Sequence, residues 1–276
     1  PMEQQNQLKI KKQHSLNWLL KLIVVVTFLL MLAVNALSTL LPLNGVTPQE
    51  VSARYPNLFV PAGFTFSIWG AIYLALILYV LYLLGLFRGR APVNEPLLVK
   101  TAIVFSVSSL VNTGWIFAFH YGALALSALM TAFLLICLID IRHIIAAETL
   151  TPREKLFVEL PFSLYFGWVT VAVIANITAL LVGLGWNGFG LSEPVWAIAI
   201  LVIGAIIGLL TALRFRDPAY ALVLVWAYGG ILANHLSPAG HNGAYPQVAF
   251  VAAACMALFL LGITLSLLRK KRPQKS

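Results

Sequence analysis

Residues 19–41 read LLKLIVVVTFLLMLAVNALSTLL, a run whose one charge is Lys21. A helix needs about 20 consecutive apolar residues to cross the hydrocarbon core of a bilayer, and this run is long enough. Seven further blocks have the same character: Gly63–Phe87, Leu98–Phe119, Ala123–Leu138, Leu156–Val182, Pro194–Leu213, Pro218–His235 and Pro246–Leu268. The fourth and seventh are the shortest. The breaks carry turn chemistry, among them Asn44-Gly45, Asp217-Pro218 and Ser237-Pro238. Apolar residues make up 61% of the chain and charged residues 10%. A soluble domain has about a quarter of its residues charged, so this chain cannot clothe a water-facing surface. The fold class is therefore all-α: a polytopic membrane helical bundle of about eight transmembrane helices.

The basic residues orient the bundle. The net charge of +9 would suggest nucleic acid in a soluble protein. Here the Lys and Arg lie between the apolar blocks, so they read as topogenic charge and no nucleic-acid partner is expected. Lys9, Lys11, Lys12 and Lys21 open the chain, and Arg88, Arg90 and Lys100 surround the second connection. Arg142, Arg153 and Lys155 surround the fourth, Arg214 and Arg216 the sixth, and Arg269 to Lys275 the tail. Arg54 alone falls on the other face. Alternation this lopsided places both termini in the cytoplasm, with basic tails at 1–18 and 269–276. It also supports an even number of spans. A basic lead can also begin a signal peptide, but the first apolar run exceeds the usual 7–15 residues. The expected location is the inner or plasma membrane, crossed several times.

Polar side chains inside a bilayer are costly and turn toward the bundle interior. On the orientation above, Asn35, Asn112, Trp115, Asn176, Trp69 and Tyr73 all fall in the outer half. Spacing by three and four groups them on helix faces. Trp168, Ala172 and Asn176 share one face of the fifth span; Ser108, Asn112, Trp115 and Phe119 share one of the third; Trp69 and Tyr73 share one of the second. The plain alternative is helix–helix packing with an interfacial aromatic belt. Three such faces at one depth instead suggest a shared pocket for a flat, mostly apolar ligand with a few polar atoms.

At these residues the chain resembles the TspO/MBR family, the tryptophan-rich sensory and translocator proteins. The third span reads Asn112-x-x-Trp115-x-x-x-Phe119, like the family's N-x-x-W-x-x-x-F. The fifth reads WVTVAVIAN from Trp168 to Asn176, similar to the family's W-V-T-F-A-T-V-L-N. Trp69-x-x-x-Tyr73 opens the second span, and Tyr55-x-x-Leu58-x-x-Pro61 sits in the long loop before it, both as in the family. The likeness covers residues 19–183, leaving residues 184–268 as a three-helix extension. It departs from the family in a shorter loop, in Arg54-Tyr55 where the family has Trp-Tyr, and in Pro161-Phe162 standing further upstream of Trp168. The resemblance implies a five-helix pocket for a tetrapyrrole, such as a porphyrin or haem, or for a sterol-like amphiphile. It assigns ligand binding to Trp69, Tyr73, Asn112, Trp115, Trp168, Ala172 and Asn176.

Other chemistry is sparse. No metal-ligand spacing and no phosphate-cradling glycine motif occurs, and no catalytic acid–base pair stands out. Cys137 and Cys255 lie inside apolar blocks and read as packing residues. His120, His235 and His241 fall at the outer face, where solvation is commoner than haem ligation. Glu159, in the fifth span, suits pairing with Lys155 four residues earlier, and Asp140 and Arg142 read as interface residues. Gly229-Gly230 in the seventh span would admit a neighbouring helix or kink the span. The expected function is a membrane binding or sensory protein, with a secondary transporter as the alternative. Expected partners are the lipid bilayer and a small amphiphilic ligand, with a homodimer allowed and no resident cofactor or metal.

Overall fold

The computed structural model describes residues 17–89 and 92–268. Arg90 and the tails at 1–16 and 269–276, on which part of the orientation rests, lie outside the described residues. Eight helices are long and apolar enough to cross a membrane. They are α1 (Trp18–Leu40), α2 (Ile68–Leu84), α3 (Glu95–His120), α4 (Leu124–Ala146), α5 (Leu160–Gly183), α6 (Glu193–Phe215), α7 (Pro218–Leu236) and α8 (Pro246–Leu268). The chain is a multi-pass, all-α membrane protein.

Local chemistry sets the helix ends. Asn17, Asn94 and Asp217 cap α1, α3 and α7 by accepting from the backbone N–H three residues on. Gly85, at φ +117°, closes α2 in a conformation that favours glycine. A capping box at Thr151 and Glu154 starts the fifth crossing, which then makes a π turn over Lys155–Glu159. There the Leu160 N–H reaches the Lys155 carbonyl. Pro161 explains the wide turn, because it has no N–H to offer the preceding turn and its ring crowds that turn.

Large apolar side chains such as Leu129, Leu210 and Phe250 lie well exposed on the outside, as lipid contact requires. Inside, α1 packs on α3, α3 on α4 and α4 on α5. The last three helices join through α7, which packs on α5 and α8. Gly167 sets that seam: a Cβ there would lie 2.8 Å from Val223 Cβ and 3.0 Å from the Tyr220 carbonyl oxygen.

The charged end of the seam differs from its sequence reading. α4 runs on to Ala146, past the expected limit at Leu138. The helix carries Arg142 into the bundle, where it is 2% exposed and not an interface residue. Its guanidinium donates twice to Glu159 Oε1, at 3.0 Å each, and to the Phe215 carbonyl at 3.2 Å. Asp217 Oδ2 lies 3.4 Å from its Nε, and the Ser163 hydroxyl donates to the same oxygen at 2.6 Å. Glu159 therefore pairs with Arg142 across helices, and not with Lys155 in the way its spacing suggested. One arginine locks α4, α5, the end of α6 and the start of α7 together. This is the basic end of the bundle. The opposite end carries the long connection from Leu41 to Ser67, here called the roof.

Candidate functional site

The roof is built by short-range rules. Thr47 caps a short helix, Pro48–Ala53, in a capping box with Glu50. The Thr47 backbone N–H and hydroxyl both donate to the Glu50 carboxylate and hold it below the usual carboxylate range. Asn57 shapes the next bend: its Oδ1 accepts from the Phe59 N–H and its Nδ2 donates to the Tyr55 carbonyl. Leu58 and Phe59 turn inward, both buried. A 3-10 turn over Gly63–Ser67 then leads into α2.

Beneath the roof the three expected faces meet. Trp69 is the hub. Its ring stacks on Tyr73 at 5.3 Å and lies 6.0 Å from Trp115, 6.1 Å from Tyr165 and 6.3 Å from Trp168. A narrow slot of about 60 Å³ runs along this cluster. Trp69, Trp115, Trp168, Ala172 and Asn176 border it, with Phe66, Phe119 and the roof residues Asn57, Phe59 and Pro61. Aromatic faces line its walls and Ala172 leaves the width.

Asn176 is its polar edge. Its Oδ1 accepts from Trp115 Nε1 at 3.2 Å and from the Ser127 hydroxyl at 2.5 Å, while its Nδ2 donates to the Ala172 carbonyl at 2.9 Å.

Tyr73 and Asn112 do not border the slot. They belong to a hydrogen-bonded relay below it. The Tyr73 hydroxyl donates to Asn35 Oδ1 at 2.6 Å, and Asn35 Nδ2 donates to Asn112 Oδ1 at 2.8 Å. Asn112 Nδ2 then donates to the Tyr165 hydroxyl at 2.9 Å. The relay joins α2, α1, α3 and α5 and satisfies both amides, as buried polar groups require. Asn112 thus braces the floor, while Trp69 and Trp168 supply the surface.

Tyr165 escaped the sequence reading, although it lies three residues before Trp168 and so on the same face. Ser127 gave no signal at all, because a lone serine in an apolar block is unremarkable. The roof residues could not be placed under any periodicity.

Two larger cavities flank the slot. One, of about 420 Å³, opens between α5, α6 and the roof and is bordered by Trp186, Glu193 and Trp196. The other, of about 660 Å³, opens between α1 and α2 beside Asn35 and Tyr73. Among the described residues no group of three or more His, Cys, Asp or Glu could hold a metal ion. Cys137 and Cys255 are both buried and unbridged. The slot lining has no carboxylate, imidazole, thiol or amine. What it offers a guest is stacking, apolar contact and a few hydrogen bonds.

No curated protein and no solved structure matches the chain. A family model described as TSPO-like protein matches residues 21–265. The match runs past the limit near residue 183 drawn from motifs alone and takes in α6, α7 and most of α8. With nearly the whole described bundle inside the match, the chain belongs to the TSPO-like protein family.

Proposed function

We propose that this TspO-type membrane protein binds a flat amphiphile, a tetrapyrrole or a sterol-like molecule, in the aromatic slot, and acts as a binding or sensory protein. The observation that carries the reading is the convergence of Trp69, Trp115 and Trp168 on one slot edged by Asn176. Stacked aromatic plates contribute about 0.5–1.5 kcal/mol each beyond area burial, and one amide fixes orientation. The absence of any ionisable group from the lining favours binding over acid–base chemistry. The basic end faces the cytoplasm on this reading, which puts the slot in the outer half of the inner or plasma membrane. The slot as it stands is far below the roughly 300–1,000 Å³ of ordinary ligand pockets, so a guest must displace part of the wall.

The test is a thermal-shift screen of the purified full-length protein against protoporphyrin IX, haem and cholesterol. A rise in melting midpoint for at least one, abolished by Trp168→Ala, supports the proposal. No shift with any of the three, in protein that elutes as a single species, rejects it. Net movement of a bound guest across a proteoliposome membrane would favour the transporter reading instead.

A further inference from the structure

α7 adds something that a five-helix pocket would lack. Trp226, Gly230 and Asn234 are spaced by four and share one face with His235 beside them, and this face grips the roof. Trp226 Nε1 donates to the Thr65 carbonyl at 2.9 Å, and the Ala62 N–H donates to the Gly230 carbonyl at 2.9 Å. Asn234 Nδ2 donates to the Val60 carbonyl at 3.0 Å. His235 Nε2 lies 2.9 Å from the Leu58 carbonyl, and because a carbonyl only accepts, Nε2 carries the proton. Four bonds along eight residues of the roof, each ending on a roof backbone group, attach it to α7.

The gripped segment is also a partition. Asn57 and Phe59 border the closed slot on one side and the 420 Å³ cavity on the other. That cavity presents Trp186 and Trp196, 4.8 Å apart, to a flat apolar guest. The cavity between α1 and α2 also reaches the slot, but its shared wall includes Trp69. Moving Trp69 would break its contacts with four aromatic rings, whereas moving the Asn57–Val60 turn breaks a local bend and two bonds to α7.

We infer that α7 gates the slot: the Asn57–Val60 turn is a door between the slot and the cavity beside α6, and Asn234 and His235 latch it. The ligand class rests on the function proposed above; the latch does not. A guest waits against Trp186 and Trp196, the latch opens, and the guest passes under Phe59 to the tryptophan cluster. Asn234 and His235 are positioning residues that need never touch the guest.

The experiment has two arms, both on the full-length protein in nanodiscs. Hydrogen exchange without any ligand compares wild type with Asn234→Ala and His235→Ala. Exchange across residues 58–65 should rise about tenfold in each variant, while α3 and α4 stay as protected as before; a roof as protected as in wild type overturns the latch. Stopped-flow quenching of tryptophan fluorescence by protoporphyrin IX then reads the door. Both variants should speed association and dissociation together, and Leu181→Trp, which fills the cavity beside α6, should slow association. Slowing by Ala36→Trp in the α1–α2 cavity, with none from Leu181→Trp, would overturn the route. If protoporphyrin IX fails to bind at all, the proposed ligand class falls and the exchange arm still decides the latch.

Discussion

Two adjacent glycines in α7 should respond in opposite directions to the same substitution. A Cβ at Gly230 would lie 2.6 Å from Thr65 Cγ2 and 2.8 Å from Thr65 Cβ, and nearer still to Oγ1. Thr65 is β-branched, fully buried and fixed in the 3-10 turn, so its side chain cannot swing away. The roof must therefore retreat from α7 by several tenths of an ångström, against the Ala62–Gly230 bond. Overpacking of this kind costs about 1–3 kcal/mol. Alanine returns about 0.8–1 kcal/mol of helix propensity, so Gly230→Ala should lose up to about 2 kcal/mol net. At Gly229 the nearest atoms to a new Cβ are Met256 Cε at 3.5 Å and Sδ at 3.9 Å, the flexible end of a side chain at ordinary contact distance. Gly229→Ala should therefore keep the propensity gain and stabilise by up to about 1 kcal/mol. Adding Thr65→Ala to Gly230→Ala removes Cγ2 and a buried hydroxyl with no hydrogen-bond partner, and should restore most of the loss. The assay is the apparent melting midpoint of monodisperse protein for wild type and the three variants. Equal shifts of one sign from Gly229→Ala and Gly230→Ala would refute the contact between roof and α7.

Arg142→Leu leaves Glu159 and Asp217 without their cation inside the seam, a loss of about 3–5 kcal/mol for a broken buried pair. It should collapse the yield of monodisperse protein, and normal yield and melting would show the network to be dispensable. Asn112→Ala opens the relay and should lower the melting midpoint, with a buried bond lost at about 1–3 kcal/mol, yet leave protoporphyrin IX affinity within about threefold. A large affinity loss would place Asn112 at the guest and not in the floor. Burial, and then the neighbouring His235 ring, hold His241 below its ordinary value of 6.5. The fold thus favours neutral His241: stability is intact above about pH 6.5 and falls as pH drops through that value toward the lower folded-state one. The drop in melting midpoint between about pH 7.5 and about pH 5.5 should shrink in His241→Asn, and an unchanged drop would remove His241 from the cause. Reporter fusions should find both tails in the cytoplasm and residues 44–60 outside; an external C-terminus would reverse the proposed orientation.

The spans were legible because twenty apolar residues in a row have few other uses, and seven of the eight blocks end within a few residues of their helices. α4 is the exception. Asp140 and Arg142 look like the edge of a membrane, and only the partners Glu159, Asp217 and Phe215, distant in sequence, make a buried arginine tolerable. The three aromatic faces were legible from spacing by three and four. Their division of labour was not, since nothing local separates Asn176, which edges the slot, from Asn112, which lies under it. The grip of α7 on the roof was hidden for a different reason. It runs to the carbonyls of Leu58, Val60 and Thr65 and to the N–H of Ala62, groups that every such residue carries. Gly230 did announce a close approach, but what approaches is the roof and not a helix, and α7 remains continuous from Pro218 to Leu236.

The most direct measurement is the dissociation constant of protoporphyrin IX for wild type, Trp168→Ala, Asn176→Ala and the lipid-facing control Phe250→Ala. Trp168→Ala removes a wall of the slot and Asn176→Ala its polar edge. Each should weaken binding about ten- to a hundredfold, as the loss of about 1–3 kcal/mol requires, with Phe250→Ala unchanged. Tight binding by all four proteins, or the same loss in Phe250→Ala as in Trp168→Ala, would contradict a ligand site at the tryptophan cluster.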